Sequence, residues 1–338
     1  MHTTRKPPLA IGSAEMTAGP GTDKGLVAQH KRVVRMGFET SLDSPQGVGA
    51  LAMARMVNAL SGQRLEIQIF PDSELGTAVK LLDMVKTGEL DLFQGGPGIF
   101  SAMEKRFNVF DIPYLFSSTA QACQVLDGEF GQQMLAAFDA HGLKGLAFWE
   151  TGMRDITNNV RPIQQVADLA GLRMRIPVNN PVQADLWKRL GTVPIPLPFG
   201  RIYEALKAGD VDSQEHPVSL IYSAKLHEVQ RYLTRSGHMY TPMIQVMNLR
   251  TFESLDERDR EIMLQASRVG AAAQRKFAAE NEAQYLVTMT SRGMQVNELS
   301  PHARAALRDA VRPAMQASYV RENGDAWLKA IQSAIGNP

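Results

Sequence analysis

From Lys31 onward the chain switches repeatedly between a two-residue and a helical period of apolar positions. Val33-Val34-Arg35-Met36-Gly37-Phe38 reads as a strand. Residues 48–60 read as a helix with Val48, Leu51, Ala52, Met56 and Leu60 near one face and Ser61-Gly62 as its stop. Leu65-Glu66-Ile67-Gln68-Ile69 alternates cleanly and Pro71 ends it. Residues 77–87 are helical, with Val79, Leu82 and Val85 inward and Gly88 as the C-cap, and residues 90–93 form a further strand. Strand, helix, strand, helix, strand predicts a parallel sheet with right-handed crossovers. Such sheets bind ligands beyond the carboxyl ends of their strands, a position met by the loops at residues 39–46 and 94–98.

A second run of the same kind begins near Gly145. Residues 146–149 are apolar enough for a buried strand. Leu172-Arg173-Met174-Arg175-Ile176 alternates, so its two arginines face away from its apolar side chains, and Pro177 stops it. Helices over residues 182–190 and 201–208 end at Gly191 and Gly209, and residues 211–215 form the next strand, followed by His216-Pro217. The C-terminal third is mostly helical. Ser254-Leu255-Asp256-Glu257 has the form of a capping box, and the helix it opens runs to about Ser291 before Gly293. At ~1.5 Å per residue that helix spans about 55 Å, enough to lie across two lobes and limit the travel of a hinge between them.

Composition narrows the function classes. A length of 338 residues favours two domains, and a 44% apolar fraction supplies a packed core. A net charge of +1 without any Lys/Arg run argues against nucleic acid as a partner. No stretch approaches the ~18 apolar residues of a membrane span. Cys123 is the only cysteine; alone it makes neither an internal disulfide nor a cysteine-based metal site, and it reads as a packing residue. Residues 1–30 are polar, carry Pro7, Pro8, Gly19, Pro20 and Gly21, and lack the apolar core of a secretory signal. They are read as a disordered or extended leader. Either the protein stays inside or its signal is absent from this sequence.

Gly95-Gly96-Pro97-Gly98 lacks the spacing of either glycine-rich nucleotide motif, so it reads as a close-approach turn. No metal or cofactor is expected. Three other segments carry candidate chemistry. They are Gly152-Met153-Arg154 leading to Asn158-Asn159-Val160-Arg161-Pro162-Ile163, then Gly171-Leu172-Arg173-Met174-Arg175-Ile176-Pro177, then Pro198-Phe199-Gly200-Arg201 continuing to Asp212-Ser213-Gln214-Glu215-His216-Pro217. Arg175 ends a strand, and its planar guanidinium matches a carboxylate bidentately at any working pH. Arg154 offers a second donor set, Phe199 an apolar wall, and His216 a strand end at the same mouth. Taken singly, each arginine fits an exposed or ion-paired role equally well, and His216 fits a structural turn.

These segments, with Ile69-Phe70-Pro71, Leu75-Gly76, Gly88 and Leu90-Asp91, resemble in order and spacing the solute-binding proteins of tripartite ATP-independent periplasmic (TRAP) transporters, the DctP-like family. The resemblance extends from about Val34 to the C-terminal helices. It implies an α/β, two-lobed periplasmic-binding-protein-like fold of type II, each lobe a mixed sheet flanked by helices, with a long helix spanning both. The lobes would be residues 31–153 plus 242–282 and residues 154–241 plus 283–338. It further implies a monomeric periplasmic receptor that closes on a small organic acid and delivers it to a TRAP permease. Arg175 would clamp the carboxylate, Arg154 assist and Phe199 wall the pocket. Glu39, Gly96, Trp149 and His216 would complete the ligand shell, His216 standing where an asparagine is common. Ala78 and Gly96 stand where sialic-acid-binding members carry acidic groups. That suggests few fixed polar groups and a less hydroxylated ligand, either an oxo or hydroxy acid or an aromatic acid near Phe199 and Trp149.

Two other classes fit less well. An enzyme acting on an organic acid would pair His216 with Glu215 or Asp212. Neighbouring strand positions point to opposite faces, however, and Asp212 lies ~13 Å from His216 along a strand. A soluble ligand-sensing protein using the same clamp is the other alternative.

Overall fold

The computed structural model describes residues 31–336; the proposed leader lies outside them. Nine strands form one continuous sheet. In chain order they are β1 (Arg32–Gly37), β2 (Leu65–Phe70), β3 (Leu92–Gly95), β4 (Leu143–Asn158), β5 (Arg173–Ile176), β6 (Val193–Pro196), β7 (Ser213–His216), β8 (Tyr232–Asn248) and β9 (Gln295–Glu298). Their order across the sheet is β2-β1-β3-β8-β4-β7-β5-β6, with β9 alongside the first part of β8. β1 pairs in parallel with both β2 and β3, and β5 with both β6 and β7. The predicted crossovers are thus present in both halves.

What joins the halves is an antiparallel ribbon of β4 and β8, 16 and 17 residues long. β3 pairs with one end of β8, while β9 pairs with the other. Residues 146–149, read as a short strand, are a small part of β4. The ribbon's register shifts between Gly145 and Ala147, Glu150 and Gly152, and Arg154 and Ile156. Bulges of this kind bend and twist a strand; the one between Glu150 and Gly152 falls at the middle of β4.

The apolar interior divides accordingly. On one side of the ribbon's midpoint a phenylalanine-rich cluster (Phe93, Phe100, Phe107, Phe138) and a second cluster around Met36, Met53 and Trp149 pack against β1–β3. On the other side, Leu172, Met174 and Trp187 head one cluster, and Ile202, Val211 and Leu233 another. The 35-residue helix Glu257–Ser291 touches both sides, placing Met263 and Ala266 in the first group and Met289 in the second. The last helix, Ala326–Ile335, returns to the first group with Leu328 and Ile331.

Local chemistry explains where the elements differ from the sequence pattern. The first helix begins at Pro45, three residues before its apolar face, because Ser44 Oγ accepts from Gly47 N at 3.1 Å. The long helix is capped by Asp256, which accepts from Asp259 N at 2.7 Å, and not by Ser254. The third strand runs over Leu92–Gly95, and the Asp91 carboxylate just before it accepts from Arg35 N at 2.7 Å. That shift carries Gln94 to the strand's carboxyl end.

Candidate functional site

The carboxyl ends of β1, β3, β5 and β7 converge on one cavity at the middle of the ribbon. It encloses about 860 Å³, part of it open to solvent. Glu39, Gly96, Arg154, Arg175, Phe199 and His216 all line it. Trp149 does not. Strand alternation on β4 sends it to the opposite face, where it is fully buried between Gly49 and Gly270 and donates to Ser267 Oγ at 3.3 Å. It is a core residue and no part of a ligand shell. Cys123 also lies off the cavity, and burial pushes its thiol up to about 11.

Arg175 is 4% exposed, and its Nε and Nη2 both donate to the Leu197 carbonyl, at 3.0 and 2.7 Å. No carboxylate lies within 4 Å of it among the described residues. Burial, with the Arg154 charge adding to it, lowers its pKa to about 10, so it remains a cation at neutral pH. Arg154 differs. It grips the buried Glu215 through Nε and through Nη2 (2.8 Å), and Nη2 also reaches the Glu215 carbonyl at 2.6 Å. Burial would raise the Glu215 pKa, but Arg154 and His238 more than offset it and hold the carboxylate ionised. Arg154 Nη1 has no protein partner among the described residues, leaving one edge of the fork for a ligand.

Glu39 spends one oxygen on Ala78 N (3.0 Å), at the start of the helix Ala78–Thr87, and burial raises its pKa. Gly96 leaves open space where a Cβ would project, while Gly98 approaches Asn180 so closely that a Cβ would sit 2.6 Å from its amide. Glu215 and His216 part to opposite faces as strand parity requires, Glu215 toward Arg154 and His216 toward Gln214.

Residues not singled out from the sequence complete the wall. Asp111 accepts from Asn180 Nδ2 (3.3 Å) and Gln183 Nε2 (2.9 Å), a contact between the first and second halves of the chain. Gln94 lines the cavity with both amide atoms unpartnered. Gln46 Oε1, Gln183 Oε1 and Thr151 Oγ1 are likewise buried without protein partners among the described residues. The wall is therefore richer in fixed polar groups than Ala78 and Gly96 suggested. Such atoms cost ~1–3 kcal/mol each unless something meets them, which suits a ligand bearing several hydroxyls. Gln46, in the first turn of the first helix, and Gln94, near the end of β3, fall within the two segments that the sequence marked as strand-end loops. Asn180 and Gln183 follow β5 as the cap and first turn of the helix Pro181–Arg189, a position that Asn179-Asn180-Pro181 could have signalled.

Comparison with known proteins agrees with this geometry. The family model for bacterial extracellular solute-binding proteins, family 7, matches residues 36–322. The 2,3-diketo-L-gulonate-binding periplasmic protein YiaO of Escherichia coli is 33% identical over 300 residues, covering 88% of this chain and 90% of that one. A TRAP periplasmic solute-binding protein of a Polaromonas species, solved with D-erythronate, is 35% identical with a TM-score of 0.85, covering 90% of this chain and 99% of the other. The sugar acid binding protein of Advenella mimigardefordensis, solved with galactonate, is 32% identical, also with a TM-score of 0.85 and the same coverages.

Proposed function

The chain belongs to the bacterial extracellular solute-binding proteins of family 7, and from that premise we propose that it captures a hydroxylated monocarboxylate for a TRAP permease. It is a periplasmic receptor for a small organic acid. The observation that carries the reading is Arg175, a guanidinium buried in the cavity whose one hydrogen-bond partner among the described residues is the Leu197 carbonyl. A buried cation without a counter-ion is costly, and a ligand carboxylate supplies the missing charge through a bidentate bond.

One carboxylate fits better than two. Arg154 is already neutralised by Glu215, and Glu39 and Asp111 stand in the same wall, where a second ligand carboxylate would meet like charge. The Gln94 amide, with neither atom partnered, and the unpartnered Oε1 atoms of Gln46 and Gln183 supply one donor group and several acceptors for hydroxyls instead. Relatives bind ligands of this kind: D-erythronate in the Polaromonas protein and galactonate in the Advenella protein. The lobes that close are residues 31–153 with 242–282 and residues 154–241 with 283–325, the last helix going with the first lobe on which it packs. Membership in a family of solute-binding proteins supports release of the ligand unchanged.

Calorimetric titration against aldonic acids and dicarboxylates of matched chain length tests this. Wild type should prefer the monocarboxylic series, and Arg175→Ala should weaken binding ~30-fold to several thousandfold, since losing one partner of a buried charge pair costs about 2–5 kcal/mol. Undiminished binding by Arg175→Ala sinks the clamp; a preference for the dicarboxylates sinks the ligand class.

A further inference from the structure

Behind the cavity four side chains form a hydrogen-bonded relay whose direction is fixed at its far end. Gln230 Nε2 donates to the carbonyls of Asp212 (3.4 Å) and Val229 (3.2 Å). Backbone carbonyls only accept, so Gln230 must turn its own Oε1 the other way, toward Thr157. Thr157 Oγ1 gives its single proton to that oxygen at 2.7 Å. With the proton spent, the Thr157 hydroxyl can only accept, and it accepts from Gln214 Nε2 at 2.6 Å. Gln214 is thereby oriented with Oε1 facing His216 Nδ1. All four side chains are buried, so no bulk water competes for the bonds. An acceptor facing Nδ1 requires a proton there.

A neutral imidazole carries one proton, so Nε2 is left with a lone pair. Burial first, then the Arg154 and Arg175 charges, hold the His216 pKa well below its ordinary value and keep the ring neutral. Nε2 has no hydrogen-bond partner among the described residues. The ring lines the cavity and meets Phe199 edge-on at 5.6 Å. The arginines on this side of the site offer only donors, whereas His216 offers only an acceptor.

We propose that His216 Nε2 is a dedicated acceptor for a ligand hydroxyl near the carboxylate, with Gln214, Thr157 and Gln230 as positioning residues that set its tautomer. The receptor thereby selects hydroxy acids over the oxo and deoxy acids of the same chain length. This rests on the reading of the chain as an organic-acid receptor. A ligand hydroxyl donates to the lone pair, while a ketone oxygen would face it with lone pairs of its own. A site built around a substrate hydroxyl rejects the analogue lacking it far more strongly than an apolar pocket rejects a methylene.

The test uses the full chain labelled with ¹⁵N-histidine, together with calorimetric titration of D-erythronate, its 2-deoxy and 3-deoxy analogues and its 2-oxo counterpart. Free wild type should show His216 protonated on Nδ1 alone across neutral pH. D-erythronate should bind about tenfold or more tightly than the oxo acid and one of the deoxy acids. Gln214→Leu should release the ring to the other tautomer and collapse that preference, while binding of the disfavoured acids persists. Thr157→Val interrupts the relay one step further back and serves if Gln214→Leu does not fold. A wild-type ring protonated on Nε2 overturns the proposal, as does equal affinity for the hydroxy, deoxy and oxo acids or a preference that survives the tautomer change. Arg175→Ala separates the two levels. If it binds as wild type does, the receptor reading falls. If it loses binding while Gln214→Leu keeps the full preference, only the role of His216 falls.

Discussion

Arg154 and Arg175 are both buried and both touch the cavity, yet they differ in what they do for the empty protein. Arg154 neutralises Glu215, so Arg154→Ala strands a buried carboxylate and should cost about 3–5 kcal/mol of stability. Arg175 makes no ion pair among the described residues, and Glu39 and Glu215 act on its charge only at longer range. Arg175→Met should therefore raise the melting temperature of the empty receptor by a few degrees, about 1 kcal/mol, while abolishing binding; a melting point below that of wild type would mean that the Leu197 bonds matter more than the buried charge. Asp111 is the opposite case of a buried acid. Burial lifts its pKa to about 6 against the bonds from Gln183 and Asn180, so the folded chain holds a proton that the unfolded chain releases at about pH 4. Stability from this group falls as pH rises from ~4 to ~6, and above that the penalty is complete. Asp111→Asn should therefore stabilise by up to about 3 kcal/mol at pH 8 and by less at pH 5. A pH-independent difference in denaturant midpoints would contradict it. At this scale the sequence revealed Glu39, Arg154 and Arg175, because strand ends and arginines announce themselves, but not Asp111. It hid the amides: Gln46, Gln94 and Gln183 look like ordinary polar positions until the fold buries them with one or both amide atoms unpartnered.

Elements were legible where period and cap agreed. The helix Ala78–Thr87 with Gly88 left-handed at its end and the long helix stopping at Ser291 follow the pattern closely. The β4–β8 ribbon was not legible. β8 mixes Arg235, Gly237, His238 and Pro242 into a strand whose partners come from far along the chain, and its bulges break the alternation that would mark it. Trp149 misled for the same reason, since the face of a strand is fixed only once its register is known. Its packing sets a demand on two helices. Gly49 of the first helix and Gly270 of the long helix cross over the indole, each where a Cβ would come within 2.5 Å of it. Alanine would ordinarily gain ~1 kcal/mol in a helix, but here Gly270→Ala should lose about 1–2 kcal/mol through overpacking. Trp149→Phe should recover part of that loss in the double mutant, measured by thermal unfolding. An additive pair would show that the crossing is not what excludes the methyl group.

Across the whole molecule, the β4–β8 ribbon and the helices Glu257–Ser291 and Pro301–Asn323 pass between the two groups of cores, a connection with little slack. Gly152, at φ 113° beside a register shift, is the natural place for bending. Small-angle scattering should show a smaller radius of gyration on saturation with a bound acid, and an unchanged radius would mean that capture needs no closure. Two α/β runs were evident from the repeated pattern and the two-lobed fold from the resemblance, whereas the single continuous sheet was not, because only long-range pairing creates it. The buried guanidinium has a further consequence for where such a receptor can work. Charges in open water fade from one another over ~30 Å in dilute media and ~3 Å at molar salt, but a pair sealed within the protein is screened far less. With its countercharge kept inside at Arg175, the receptor should hold its ligand almost equally well in fresh water and in brine.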